Sequence, residues 1–212
     1  MPATPKTGST IIEEFGLQNG DTSDLSTSES LTVLNRVYRS VLDSKDWLFL
    51  MKKLNLTTNG TDRIALPEDF KKFVASGQYT EKFIDAKYPF VIFLGPEKTH
   101  YYYVNYLDRE QYKDQSNYFY IDLTTNEIVF TQIPNSGLSV TGDYIYSPDD
   151  IESNTYPVFP AEYIDILVYG MTLDDFIIQL FDKARSYAPE NKMKYDKRLA
   201  EMKSWNDSFI HI

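Results

Sequence analysis

FPAEYIDILVYGMTLDDFIIQLFDKA, residues 159–184, is two apolar helical stretches with almost no polar face. Pro160 suits a first helical position and Gly170 a stop, so a short helix is expected between them. Its Tyr163, Ile164, Ile166, Leu167 and Val168 leave little surface for water, which predicts burial on most sides. Thr172 with Asp175 offers a cap for a second helix, where Leu173, Phe176, Ile177, Leu180, Phe181, Ala184 and Tyr187 keep helical spacing. Pro189 is expected to end or bend it. A last helix follows from Glu190 to about Trp205, striped by Tyr195, Leu199 and Met202. Apolar stripes of this kind are not stable alone and need a partner.

That partner lies far upstream. Leu31, Leu34, Tyr38, Val41 and Leu42 form one stripe, and Ser26 with Glu29 three residues on is a capping box, so a helix starts near Thr27. Trp47, Leu48 and Leu50 extend or restart it, with Trp47 as a core anchor. Between the two helical regions the pattern turns to strands: YPFVIFL (88–94), THYYYVNYL (99–107), NYFYID (117–122), EIVFTQI (127–133) and DYIYS (143–147). YIDLTTNEIVFT reads as a hairpin with Thr124, Thr125 and Asn126 at its tip. Before these strands, Asn59-Gly60 marks a turn and Pro67 opens a helical turn.

The expected fold is therefore α+β. A helical bundle, the first helix plus three carboxyl-terminal helices, carries an inserted antiparallel β-sandwich or barrel of about five strands. The boundaries read as a flexible arm over 1–26, the bundle over 27–54 and 156–206, the β-rich insertion over 55–155, and a tail over 207–212. In the arm, Ile11, Ile12, Phe15 and Leu17 are too apolar for a linker. They form either a strap on their own domain or a hook for a neighbouring subunit.

Composition limits the chemistry. With 21 Lys and Arg against 31 Asp and Glu, the charge of −10 makes the chain a poor binder of phosphates, yet suits a surface that DNA passes without sticking. The absence of cysteine removes disulfides, thiolate catalysis and Cys-based zinc sites. Met1 to Thr10 holds no apolar run, so no signal peptide is expected, and no stretch approaches a membrane span. His100 and His211 belong to no metal or nucleophile motif. Asp149-Asp150 follows a proline, where turns favour Asp, and Asp174-Asp175 sits where a helix dipole favours anions. No catalytic residue, cofactor or metal is expected, and the chain does not read as an enzyme. Lys52-Lys53, Lys71-Lys72 and KMKYDKR alternate with acids and read as solvated faces.

The texture DTSDLSTSESLTVLNRVYRSVLDSKDWLFLMKK (21–53), IALPEDFKKF (64–73), YPVFPAEYIDILVYGM (156–171) and YDKRLAEMKSW (195–205) resembles the head-to-tail connector proteins of tailed bacteriophages, also called neck adaptor or head-completion proteins. The resemblance spans nearly the whole chain, with a longer arm and a longer, tyrosine-rich β insertion. It implies a structural virion protein of the neck, made in the host cytoplasm, that forms a twelve-fold ring. Its partners would be the portal protein, neighbouring copies of itself, and a tail or stopper protein, with DNA passing through unbound and no membrane involved. A carboxyl-terminal extension docking on the portal would engage Trp205, Phe209, Ile210 and Ile212. The alternative is a carbohydrate- or receptor-binding virion module, with Tyr101–Tyr103 and Tyr118–Tyr120 as a sugar platform. Strand alternation counts against it, because neighbouring residues point to opposite faces. A third reading is a hydrolase built from carboxylates alone.

Overall fold

Helix α2, Thr27–Asp43, starts where the capping box places it: the Ser26 hydroxyl accepts from the Glu29 amide at 3.2 Å, and the Glu29 carboxylate accepts from the Ser26 amide at 2.9 Å. The Ser26 hydroxyl also donates to the Glu29 carboxylate at 2.6 Å, and this bond, with that from the Ser26 amide, holds the carboxyl below its ordinary value. Val33, Leu34, Val37, Tyr38, Val41 and Leu42 are buried along one side of the helix. The computed structural model describes residues 4–19, 24–74 and 90–209. It divides the chain into two units, Met1–Phe49 with Pro148–Ile212 and Leu50–Ser147.

The first unit is helical. Where the sequence suggested an arm, α1 spans Gly8–Asn19 and packs against α2 and α3. Ile11 and Phe15, one helical turn apart, are 0% and 1% exposed, and this burial orders the segment. Asn19 fixes its end, donating to Phe15 O at 2.9 Å and to the Thr172 hydroxyl at 3.3 Å. At its start, a Cβ on Gly8 would lie 2.3 Å from Glu152 O, so only glycine lets the chains approach.

Past α2, Trp47 is fully buried and its indole donates to Val41 O at 3.0 Å. Trp47, Leu48 and Leu50, expected to extend or restart the helix, do not continue it beyond a single turn. Leu48–Leu50 is one 3-10 turn, and Met51 already begins a strand.

The carboxyl-terminal half also differs in its breaks. After a 3-10 turn at Ala161–Tyr163, α3 spans Asp165–Thr172 and contains Gly170 instead of stopping at it. A Cβ there would sit 2.3 Å from Val37 Cγ1 and 3.1 Å from the Tyr195 ring, so Gly170 is the point where α2, α3 and α5 come closest. Helix α4, Asp175–Leu180, is capped by Asp174, which accepts from the Phe176 amide at 3.1 Å. Thr172, the expected cap residue, is buried and donates to Val168 O. The next break falls at extended, buried Phe181, and α5 then runs unbroken from Asp182 to Ser208 through Pro189. Pro189 and Arg185 are both exposed, so water can satisfy the Arg185 carbonyl that the proline leaves without a donor. No helix among the described residues is long and apolar enough to cross a membrane.

The second unit is one sheet of eight strands, where about five were expected. They are β1 Met51–Thr57, β2 Arg63–Ala65, β3 Phe70–Phe73, β4 Val91–Leu94, β5 Thr99–Tyr103, β6 Tyr118–Asp122, β7 Glu127–Phe130 and β8 Ser139–Tyr146. Their order is β1-β8-β4-β5-β6-β7-β2, with β3 also on β8. The sheet is mixed, not purely antiparallel, because β5 and β6 run parallel. Their connection, residues 104–117 with a 3-10 helix at Tyr106–Tyr112, has the length such a crossover needs. The β6–β7 hairpin forms as expected, with Asp122 opposite Glu127 and Asn126 at φ 54° in the turn. Leu54 of β1 and Ile64 of β2, at opposite ends of the strand order, share a buried cluster with Phe73, Ile92, Phe119 and Val140. The sheet thus curls into a nearly closed, barrel-like form around one core.

Asp69 ties that barrel together, accepting from Lys52 Nζ at 2.6 Å and Tyr144 Oη at 2.9 Å. Burial pushes its carboxyl up, but these hydrogen bonds outweigh burial and hold it below its ordinary value. A depressed carboxyl adds stability that is present above the unfolded-state pKa near 4 and is lost as pH falls through the folded one. We expect Asp69→Asn to cost about 1 kcal/mol at neutral pH, discounted for partial exposure. The gap to wild type should close below roughly pH 4 in thermal melts followed across pH. A gap that persists at pH 2 would overturn this account.

Candidate functional site

Among the described residues no group of three or more His, Cys, Asp or Glu could hold a metal. Asp150 takes a two-pronged bond from Arg39, at 2.8 Å on each side. Asp174 is held by Arg36 at 3.0–3.1 Å while it caps α4. His100 sits on β5 between the rings of Phe93, at 5.1 Å, and Tyr102, at 6.2 Å. His211 falls outside the described residues.

The tyrosines sort by face. Tyr101 and Tyr103 pack against the barrel core, and burial raises both hydroxyls above their ordinary pKa. A row on the other face runs Phe93, His100, Tyr102, Tyr118 and Tyr112, each ring 4.8–6.2 Å from the next. Successive planes are turned by 46–89°, edge to face on either side of His100 and tilted on either side of Tyr118, so the rings offer no shared plane for a sugar.

The carboxyl-terminal end of α5 is the better-built candidate for a contact. Asn206 is fully buried, accepting from the Leu48 amide at 2.7 Å and donating to Asp46 O at 3.4 Å. Lys45 pairs with Asp207 beside it. Two turns earlier, Arg198 binds Asp165 and Glu201, each at 2.8 Å, and these carboxylates raise its pKa above the usual range. The last turns of α5 are therefore held from several sides. On this support stand Trp205, half-buried among Phe49, Tyr163 and Phe209, and Phe209 itself, 51% exposed. A large apolar ring half in water on a well-held backbone is the kind of group that anchors a protein contact. Ile210 and Ile212 lie outside the described residues. At the other end of the chain, Ile11 and Phe15 are buried in their own unit and Ile12 is half-buried, which leaves Leu17, 83% exposed, available to a partner.

A groove of about 690 Å³ lies between α2, the end of α3 and α5. Val37, Leu173, Ala188, Pro189 and Tyr195 line it, and Arg36, Arg185 and Lys192 stand at its rim. The sequence reading did not single it out. Arg185 and Lys192, two turns apart on one helix, carried the signal, but the break assigned to Pro189 separated them. Asn206 carried none.

Residues 6–209 match the family model described as SU10 adaptor protein, and no curated protein matches the chain. The match runs through α1, both halves of the helical unit and the entire β unit. The chain belongs to the SU10 adaptor protein family.

Proposed function

We propose that the chain is a structural adaptor of the phage neck, assembling as a twelve-fold ring on the portal, continuing the DNA channel and offering a platform to a tail or stopper protein. The family match across residues 6–209 carries this reading. Charge supports it. The helical unit has 11 Lys and Arg against 19 Asp and Glu, and the β unit 10 against 12, so neither would grip DNA phosphates in a channel. The aromatic end of α5 supplies the portal contact, with Phe209 as its exposed ring and Trp205 as the support behind it. Leu17 is free to meet a neighbouring copy.

Native mass tests the reading. The purified chain, mixed with portal rings from the same phage, should appear as a ring-sized complex on the portal. A chain that stays monomeric and ignores the portal would overturn it. Phe209→Ser should weaken portal binding by roughly tenfold or more while leaving the melting temperature nearly unchanged, since the ring is half in water. Binding that is unaffected would move the portal contact elsewhere.

A further inference from the structure

We propose that Tyr156 of one copy inserts into the α2–α3–α5 groove of the next copy, and that this is a repeating contact of the ring. The inference deepens the adaptor reading and rests on it.

Tyr156 is 60% exposed, yet the loop that carries it is firmly held. Asn35 binds Ile151 through both its amide groups, donating to the carbonyl at 2.9 Å and accepting from the N–H at 2.7 Å. The Gly8 and Ser9 amides donate to Thr155 O and Ser153 O, at 3.0 and 2.9 Å. On the far side the Val158 amide donates to Tyr38 Oη at 3.3 Å, and Pro157 is buried. An aromatic ring projected from a preorganised backbone loses little entropy on docking.

Knob and groove are complementary in charge and chemistry. From Asp149 to Glu162 the chain has four carboxylates and no Lys or Arg, so the segment that carries the knob is acidic, with Asp150 alone paired to Arg39. Asp149, Glu152 and Glu162 around the tyrosine are exposed. The groove is lined mainly by apolar groups, with three cations, Arg36, Arg185 and Lys192, against one carboxylate, Asp174. Each cation has a partner in its own chain: Arg36 with Asp174, Arg185 with Asp182, Lys192 with Asp196. Arg36 is held by the nearly buried Asp174, but Arg185–Asp182 and Lys192–Asp196 are exposed on both sides, and exposed pairs of this kind hold so weakly that a neighbour's carboxylates can share them.

The placement suits a ring. Loop residues Asp150 to Glu152 lie along the Asn35 and Arg39 side of α2, and the groove opens along its Val37 and Ser40 side. Two different surfaces that fit each other give a head-to-tail contact, the kind from which a ring is built when the rotation between copies closes.

The full chain tests this by complementation. Tyr156→Ser removes the knob and Ala188→Trp fills the groove, so each variant alone should lose ring assembly. Mixed one to one, they retain a single usable contact and should give a two-subunit species and nothing larger. The Arg185→Glu/Lys192→Glu double variant, which touches no buried side chain, should also lose assembly, and serves if Ala188→Trp fails to fold. Because the chain has no cysteine, Tyr156→Cys and Ala188→Cys chains, mixed under copper-phenanthroline oxidation, should cross-link only between copies. If rings form but Tyr156→Ser assembles like wild type, or the cross-link does not appear, the contact is overturned and the adaptor reading stands. Rings of Ala188→Trp that have lost only a portal or tail protein would likewise overturn it. If the wild-type chain never assembles, with or without portal rings, both fall.

Discussion

Trp47→Ala is expected to destabilise the helical unit by about 3–5 kcal/mol, the range for emptying a buried aromatic site. The ring is fully excluded from water, its N–H bonds to the end of α2, and it stacks on Phe49 at 5.5 Å. Phe49 in turn touches Trp205 and Phe159, so the cavity would open beneath the residues that support Phe209. The Val41 carbonyl loses the indole, but the Ser44 amide and hydroxyl still bind it, at 3.1 and 2.8 Å. The cost should therefore be mainly cavity. A fall in melting temperature on the order of 10 °C would agree for a chain of this size, and a shift under about 2 °C would show that Trp47 is not an anchor.

Phe119→Ala should cost the β unit a similar amount, about 3–5 kcal/mol. Phe119 is fully buried on β6 and faces Phe130 across the antiparallel pair and Tyr103 across the parallel one. Its ring meets those of Phe73 at 5.6 Å and Tyr103 at 5.8 Å. It therefore links both halves of the curled sheet. Phe119→Leu should restore more than half of the loss, because it refills most of the volume. Urea unfolding followed by tyrosine fluorescence separates the two, and equal midpoints for the alanine and leucine variants would argue against a packing role.

The parts of this fold that were readable from sequence are those decided locally. Ser26 and Glu29 fix the start of α2 within four residues, and Thr124 to Asn126 fix the β6–β7 turn by turn chemistry. What was not readable is set by distant partners. MKKLNLT has no clean alternation, and becomes β1 only because it pairs with β8, some 90 residues away. Gly170 looks like a helix stop until Val37 occupies the space that a side chain would need. Pro189 looks like a break, but exposure lets α5 run through it, while Phe181 breaks the chain with no local signal. Ile11 and Phe15 have the same spacing in a hook as in a packed helix, and only the presence of α3 distinguishes them. Of the contact site, Trp205 and Phe209 were visible as apolar residues near the end of the last helix. Asn206, Arg198 and Lys45, which hold them in place, were not.

The insertion of a whole β unit between α2 and its partners has a consequence during synthesis. The stripe of α2 is complete at Asp43, yet α3, which covers it, begins at Asp165, 122 positions later. At roughly 5–20 residues per second, the ribosome takes on the order of 10 s to deliver the missing half. Throughout that interval Leu34, Tyr38 and Val41 have no permanent cover, whereas the β unit is fully translated before α3 begins. An apolar stripe exposed in this way is the kind of surface that holding chaperones bind, so the yield of folded chain is expected to depend on how well α2 is shielded until its partners emerge.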